Sequence, residues 1–134
     1  MTTPLNGQII GQAERHTRAV LNRLLADTGT SFEQWVAVNL AATAGPSDLA
    51  SSLAAGLRLD PLRAGAVISS LVEDGLLTAD GTLTPLGNQR FQEISTGIAG
   101  ITQRLYGDLP ADDLIVAGRI LTTITDRARA ELAS

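Results

Sequence analysis

Two helix starts of the same kind, Asp60-Pro61 and Thr84-Pro85, bracket a stretch with few ways to fold. In each, a short side chain able to accept from free backbone N–H groups precedes a proline, whose missing N–H costs nothing in a first helical turn. Between them, Val67, Ile68 and Leu71 recur at helical spacing, and Gly75 suits the left-handed end of that helix. Leu76 to Thr78 and Thr82 to Thr84 flank Asp80-Gly81, a dipeptide that favours tight hairpin turns, and read as two short strands. Upstream, Leu53, Ala54 and Leu57 share one face of a short helix. Two helices joined by a tight turn and followed by a hairpin describe a winged helix-turn-helix. The fold class expected is therefore mainly α, with one small β-hairpin.

The flanks are helical too. Residues 5–26 read as a long helix with Leu5, Ile9, Ala13, Val20, Leu21, Leu24 and Leu25 mostly on one side. Thr30 followed by Glu33 fits a capping box for a second helix through Trp35, Val36, Val38 and Leu40. Gly45-Pro46 stops it, and Ser47 is placed to cap a third. After the hairpin, residues 85–106 carry Phe91, Ile94, Ile98, Ile101 and Leu105 at alternating steps of three and four, a narrow seam suited to another helix. Gly97 and Gly100 inside it imply either a close backbone approach or a bend. The last helix, 111–132, steps through Leu114, Ala117, Leu121, Ile124 and Ala128.

At 134 residues and 44% apolar content, the chain is one domain's worth, with a winged lobe over 31–90 flanked by helices in 1–30 and 91–134. Those helices expose more apolar seam than one lobe can cover. A two-fold dimer would bury it, and a monomeric bundle with internal seams is the alternative. No secretory signal is read at the N-terminus and no run is long enough to span a bilayer, so a cytoplasmic protein without membrane partners is expected. Zero cysteines exclude disulfides, thiolate metal sites and thiol sensing.

Leu53-Ala54, Leu57, Leu59-Asp60-Pro61, Gly75-Leu76 and Leu83-Thr84-Pro85-Leu86-Gly87 resemble the winged-helix signature of the MarR (multiple antibiotic resistance regulator) family of bacterial transcription regulators, without a gap from Leu53 to Leu77. The flanking helices match in number and order. The resemblance implies a homodimer formed through the first and last two helices. It also implies double-stranded DNA as partner, with the helix after Asp60-Pro61 in the major groove and the hairpin along the backbone, and a small aromatic effector held between the first, second and fifth helices.

If Ala64, Val67, Ile68 and Leu71 face inward, then Leu62, Ala66, Ser69 and Glu73 face outward, with Arg63 and Ser70 on the flanks. The DNA-binding residues expected are thus Arg63, Ser69, Ser70, Leu62 and Ala66, with Arg58 and Arg90 for backbone contact. The face departs from the family pattern. Ala66 stands where an arginine or similar polar group is usual, and the hairpin is short, with Asp80 as its one charge.

Charge presses the same point. Net charge is −4 with ten arginines and no lysine, whereas nucleic-acid binders usually present a basic surface, because phosphate affinity comes largely from released counterions. Between Pro46 and Arg90, three arginines face five acids, a net of −2. Asp60 is accounted for as a cap; Glu73, Asp74 and Asp80 have no such task in the sequence. Two functions stay open: a dimeric DNA-binding regulator, and a MarR-like scaffold with weak or lost DNA binding that serves as a ligand-binding or protein-interaction module.

Other chemistry is sparse. His16 is the one histidine, and no ligand set at metal spacing accompanies it; it reads as a surface or structural residue, or as part of an effector or pH sensor. Trp35 reads as core, or as a wall of the effector pocket. There is no Gly-x-Ser-x-Gly elbow, no phosphate loop and no nucleophile with a placed base, so no enzyme, cofactor or metal is expected.

Overall fold

The computed structural model describes residues 3–45 and 48–134, in two compact units that meet between Ile101 and Thr102. In the first unit the helices are α1 (Gly7–Asp27), α2 (Phe32–Ala44), α3 (Leu49–Leu57), α4 (Pro61–Glu73) and α5 (Pro85–Thr102). The second unit begins with a π-helical turn, Gln103–Gly107, where a regular helix to residue 106 was expected, and continues as α6 (Ala111–Ala133). No helix among the described residues is long and apolar enough to cross a membrane.

Helices α2, α3 and α4 pack on one another and supply most of the core of the first unit. Val38 from α2, Leu53 from α3 and Leu71 from α4 are fully buried, as is Leu77 from the segment after α4. The inward face read from spacing holds for Ala64, Val67 and Leu71, while Ile68 is half-buried. Leu25 ties α1 into this core and Ile94 ties in α5. On α5, a Cβ at Gly97 would lie 2.7 Å from Leu24 Cδ1, so this glycine marks a close approach to α1.

Asp60 caps α4 as its position requires: its Oδ1 accepts from the Arg63 N–H at 2.8 Å, with Pro61 at the first helical position. Gly75, at φ +80°, follows the end of α4 in the left-handed region. The expected cap of α3, Ser47, lies outside the described residues.

Two local expectations are corrected. The capping box of α2 is built one residue later, from Ser31 and Gln34, with Ser31 Oγ accepting from the Gln34 N–H and Gln34 Oε1 accepting from the Ser31 N–H. Thr30 is unavailable for it, because its hydroxyl oxygen accepts from Thr28 and from Arg90 at 2.9 and 3.0 Å. The hairpin is also smaller than two strands. Among the described residues it is a single antiparallel bridge, Leu77 to Leu83, supported by Thr78 N–H to Thr82 O (2.8 Å) and Thr84 N–H to Leu76 O (3.1 Å). Asp80 has a structural task after all: it accepts from the Thr78 hydroxyl and from the Thr82 N–H, and these bonds hold its carboxyl below the usual range.

The bridged segment is seated on α5 at Gly87, where a Cβ would collide with the Leu76 carbonyl oxygen and touch Leu83. Gly87→Ala is expected to destabilise the protein by about 1–3 kcal/mol, the usual range for overpacking. Gly118→Ala on α6, with open space around it, should instead be neutral or stabilising. Denaturant unfolding of both variants checks the contrast.

Candidate nucleic-acid interface

The outward side of α4 begins at Leu62, which is 87% exposed in spite of its size. Ala66 and Ser69 are exposed on the same helix, and Ser70 is half-buried. The expected surface is therefore present as a surface, and its polar groups differ sharply in how occupied they are.

Arg63 is engaged. Its Nε donates to Glu33 Oε2 at 3.2 Å and its Nη2 to Glu33 Oε1 at 2.6 Å, a two-point pair between the first turns of α4 and α2. That bond lowers the Glu33 pKa and raises that of Arg63. The backbone N–H of Arg63 is likewise taken, by Asp60. Since Pro61 has no N–H, the α4 N-terminus offers an anion the Leu62 N–H alone from its first three positions.

Ser70 is engaged too, accepting from Gln34 Nε2 at 3.1 Å and donating to the Val67 carbonyl at 2.6 Å. Gln34 thereby spends both ends of its amide, one on the α2 cap and one on α4. Around these contacts lies a shallow cavity of about 320 Å³ lined by Ser31, Glu33, Gln34, Arg63, Ala66, Val67 and Ser70. Ser69, one residue before Ser70, stays exposed.

The two other arginines divide. Arg90 is half-buried, and its Nη1 donates to Thr30, so it braces α5 against the α1–α2 corner. Arg58 is exposed and in no ion pair among the described residues. It closes α3 at φ +54°, a left-handed position that glycine would occupy without strain. A long cation thus sits at a left-handed turn between α3 and α4.

His16 and Trp35 make separate contacts. The His16 ring lies exposed on α1, its Nδ1 2.8 Å from the Gln12 carbonyl oxygen. Trp35 is 7% exposed and stacks on Phe91, ring centroids 5.8 Å apart. The described residues contain no group of three His, Cys, Asp or Glu that could hold a metal.

Glu33 is the site residue that sequence reasoning missed. Read as the partner of a Thr30 cap, it had a local task. With the cap moved to Ser31 and Gln34, Glu33 is released toward α4, and only the packing of α2 on α4 shows where it goes. The overlapping second box, Ser31-x-x-Gln34, was the available signal.

No family model matches the sequence, and no curated protein matches it. Among solved structures, the Mycobacterium tuberculosis MarR family protein Rv2887 in complex with salicylic acid is similar at a TM-score of 0.72 and 18% identity, over 92% of this chain and 99% of that one. The chain has the MarR fold. An S. aureus MepR mutant bound to an oligodeoxyribonucleotide is similar at a TM-score of 0.56 and 13% identity, over 94% of this chain and 99% of that one.

The lowered pKa of Glu33 has a defined sign. The pair contributes above the unfolded glutamate pKa and is lost as pH falls through the lower folded value. A side-chain carbon NMR titration is expected to place the Glu33 midpoint below the ordinary value of about 4.3, and Arg63→Ala should return it toward that value. An unchanged midpoint in the variant would mean the pair does not form in solution.

Proposed function

We propose that the protein is a homodimeric DNA-binding transcription regulator that reads its site with α4. The observation that carries this reading is Arg58: an exposed arginine, in no ion pair among the described residues, at a left-handed turn between α3 and α4 where glycine would fit better. Next to it, Leu62 and Ala66 present an apolar strip suited to thymine methyl groups in the major groove, and Ser69 offers a hydroxyl to a base edge or phosphate. Arg63 supplies the one strong donor on α4. The MarR fold, seen elsewhere with an oligodeoxyribonucleotide bound, supports the same assignment.

A dimer follows from the same reasoning. The long helix α6 carries no buried residue, and Ile115, Val116, Ile120, Leu121, Ile124 and Leu132 are exposed along it. A second copy, pairing through α1, α5 and α6, would cover such a surface and present two α4 helices to half-sites about one DNA turn apart. A small aromatic effector belongs to this reading as well, since one structural neighbour holds salicylic acid. His16 and Trp35 are its candidate contacts, His16 exposed on α1 and Trp35 almost wholly buried.

A second reading is favoured by charge. A lobe with net −2, whose Arg63 already holds a carboxylate, suits a scaffold that binds a ligand or a protein in place of DNA.

Two substitutions separate these readings from each other and from plain stability. Arg63→Ala should abolish most measurable binding to the duplex upstream of the protein's own coding region. Arg58→Gly should relax the backbone, leaving thermal stability equal or higher, yet weaken DNA binding. Electrophoretic or fluorescence titration alongside thermal unfolding checks both. Wild-type affinity in the two variants would refute the assigned roles, and absent or non-specific binding by the folded wild type would leave the scaffold.

A further inference from the structure

The guanidinium of Arg63 has two edges able to donate a pair of parallel bonds, and one of them is taken. Nε and Nη2 donate to the two carboxylate oxygens of Glu33 at 3.2 and 2.6 Å. The far edge, formed by Nη1 and the second proton of Nη2, has no acceptor among the described residues. Its two N–H groups match a pair of acceptors on a duplex, either O6 and N7 of a guanine or two oxygens of a phosphate. The Arg63 side chain is 60% exposed against 25% for Glu33, so the pair is enclosed on the side of the acid and open on the side of the arginine.

Glu33 is well placed to hold its partner still. It lies in the first turn of α2, and its neighbour Gln34 bonds both Ser31 and Ser70, which ties that turn to α4. The carboxylate thus grips the arginine from one packed helix to another. A free arginine on a helix surface samples many rotamers and gives them up when it binds. One already held by two parallel bonds has given up much of that freedom beforehand.

We propose that Glu33 is a positioning residue: it holds the inner edge of Arg63 so that the outer edge is presented to a pair of acceptors on the duplex. The inference rests on the reading that α4 meets DNA. Arg63 is the third residue of α4, in the turn that a recognition helix brings to the base edges. One guanidinium then serves the carboxylate and the duplex together. An acid that by charge alone repels DNA acquires an opposing role.

Charge and positioning are separable, because two substitutions remove the same charge. Glu33→Ala leaves the inner edge of Arg63 without an acceptor, whereas Glu33→Gln keeps one amide oxygen for it. The full-length variants are titrated at one salt concentration with the duplex upstream of the coding region, each also in an Arg63→Ala background. Glu33→Gln is expected to bind roughly two- to tenfold more tightly than Glu33→Ala per engaged protomer, the effect of immobilising one long side chain in advance. With Arg63 replaced, the two should bind alike. Circular dichroism checks that each variant is folded, and a merely structural role would separate Gln from Ala in both backgrounds. A second probe, the same duplex with 7-deazaguanine for guanine, lacks the N7 acceptor. A Gln-to-Ala difference that shrinks on this probe assigns the outer edge to guanine, and one that persists assigns it to phosphate.

Equal binding by Glu33→Gln and Glu33→Ala, with Arg63→Ala still weaker than wild type, would overturn the positioning role and leave the DNA-binding reading intact. A Gln-to-Ala difference that survives the loss of Arg63 would overturn it as well. Absence of binding by every folded protein at low salt, wild type included, would overturn both.

Discussion

The pair between Glu33 and Arg63 joins the first turn of α2 to the first turn of α4, and it decides what the exposed side of α4 can offer. Exposed ion pairs in general add little to stability; what this one changes is which groups of α4 stay open. The strongest donor on the helix is oriented by the pair and neutralised by it. With Ser70 tied to Gln34 and Val67, and Arg90 braced on Thr30, the groups left open are Arg58, Ser69 and the apolar strip of Leu62 and Ala66. The open face therefore carries apolar and hydroxyl groups with very few free charges.

That balance rests on the fold beneath. Asp60 and Pro61 fix where α4 starts, which places Arg63 within reach of Glu33. Leu71, Leu53 and Val38 hold α4 against α3 and α2. Asp80 spends its carboxylate on closing the turn through Thr78 and Thr82, so the one charge of that turn has a structural task. Gly87 lets the segment around Leu76 and Leu83 sit directly on α5.

Much of this was legible in the sequence because it is local. A proline after Asp60, a glycine after α4 and apolar residues three and four apart each act within one helical turn, and on α4 the cap, the terminal glycine and the burial of Ala64, Val67 and Leu71 follow from them. Local chemistry misled where two solutions overlapped. Thr30-x-x-Glu33 and Ser31-x-x-Gln34 are both capping boxes, and the choice fell to Thr30's bond with Arg90, a residue 60 positions away. The strands at 76–78 and 82–84 shrank to one bridge because the turn is closed by side chains and leaves few residues for pairing. The occupancy of Arg63 was illegible for the same reason: its partner is 30 residues upstream and no spacing rule reaches that far.

The central claim is that a lobe short of cations still binds DNA specifically, through very few phosphate contacts. Its most direct test is the salt dependence of wild-type binding to the duplex upstream of the coding region. If two protomers each bring Arg58 and the Glu33-paired Arg63 to phosphate, the slope of log K against log salt should fall between roughly −2 and −4. A mixed-sequence duplex should bind far more weakly. A slope near −8, or equal binding to both duplexes, or none to either, would contradict the account.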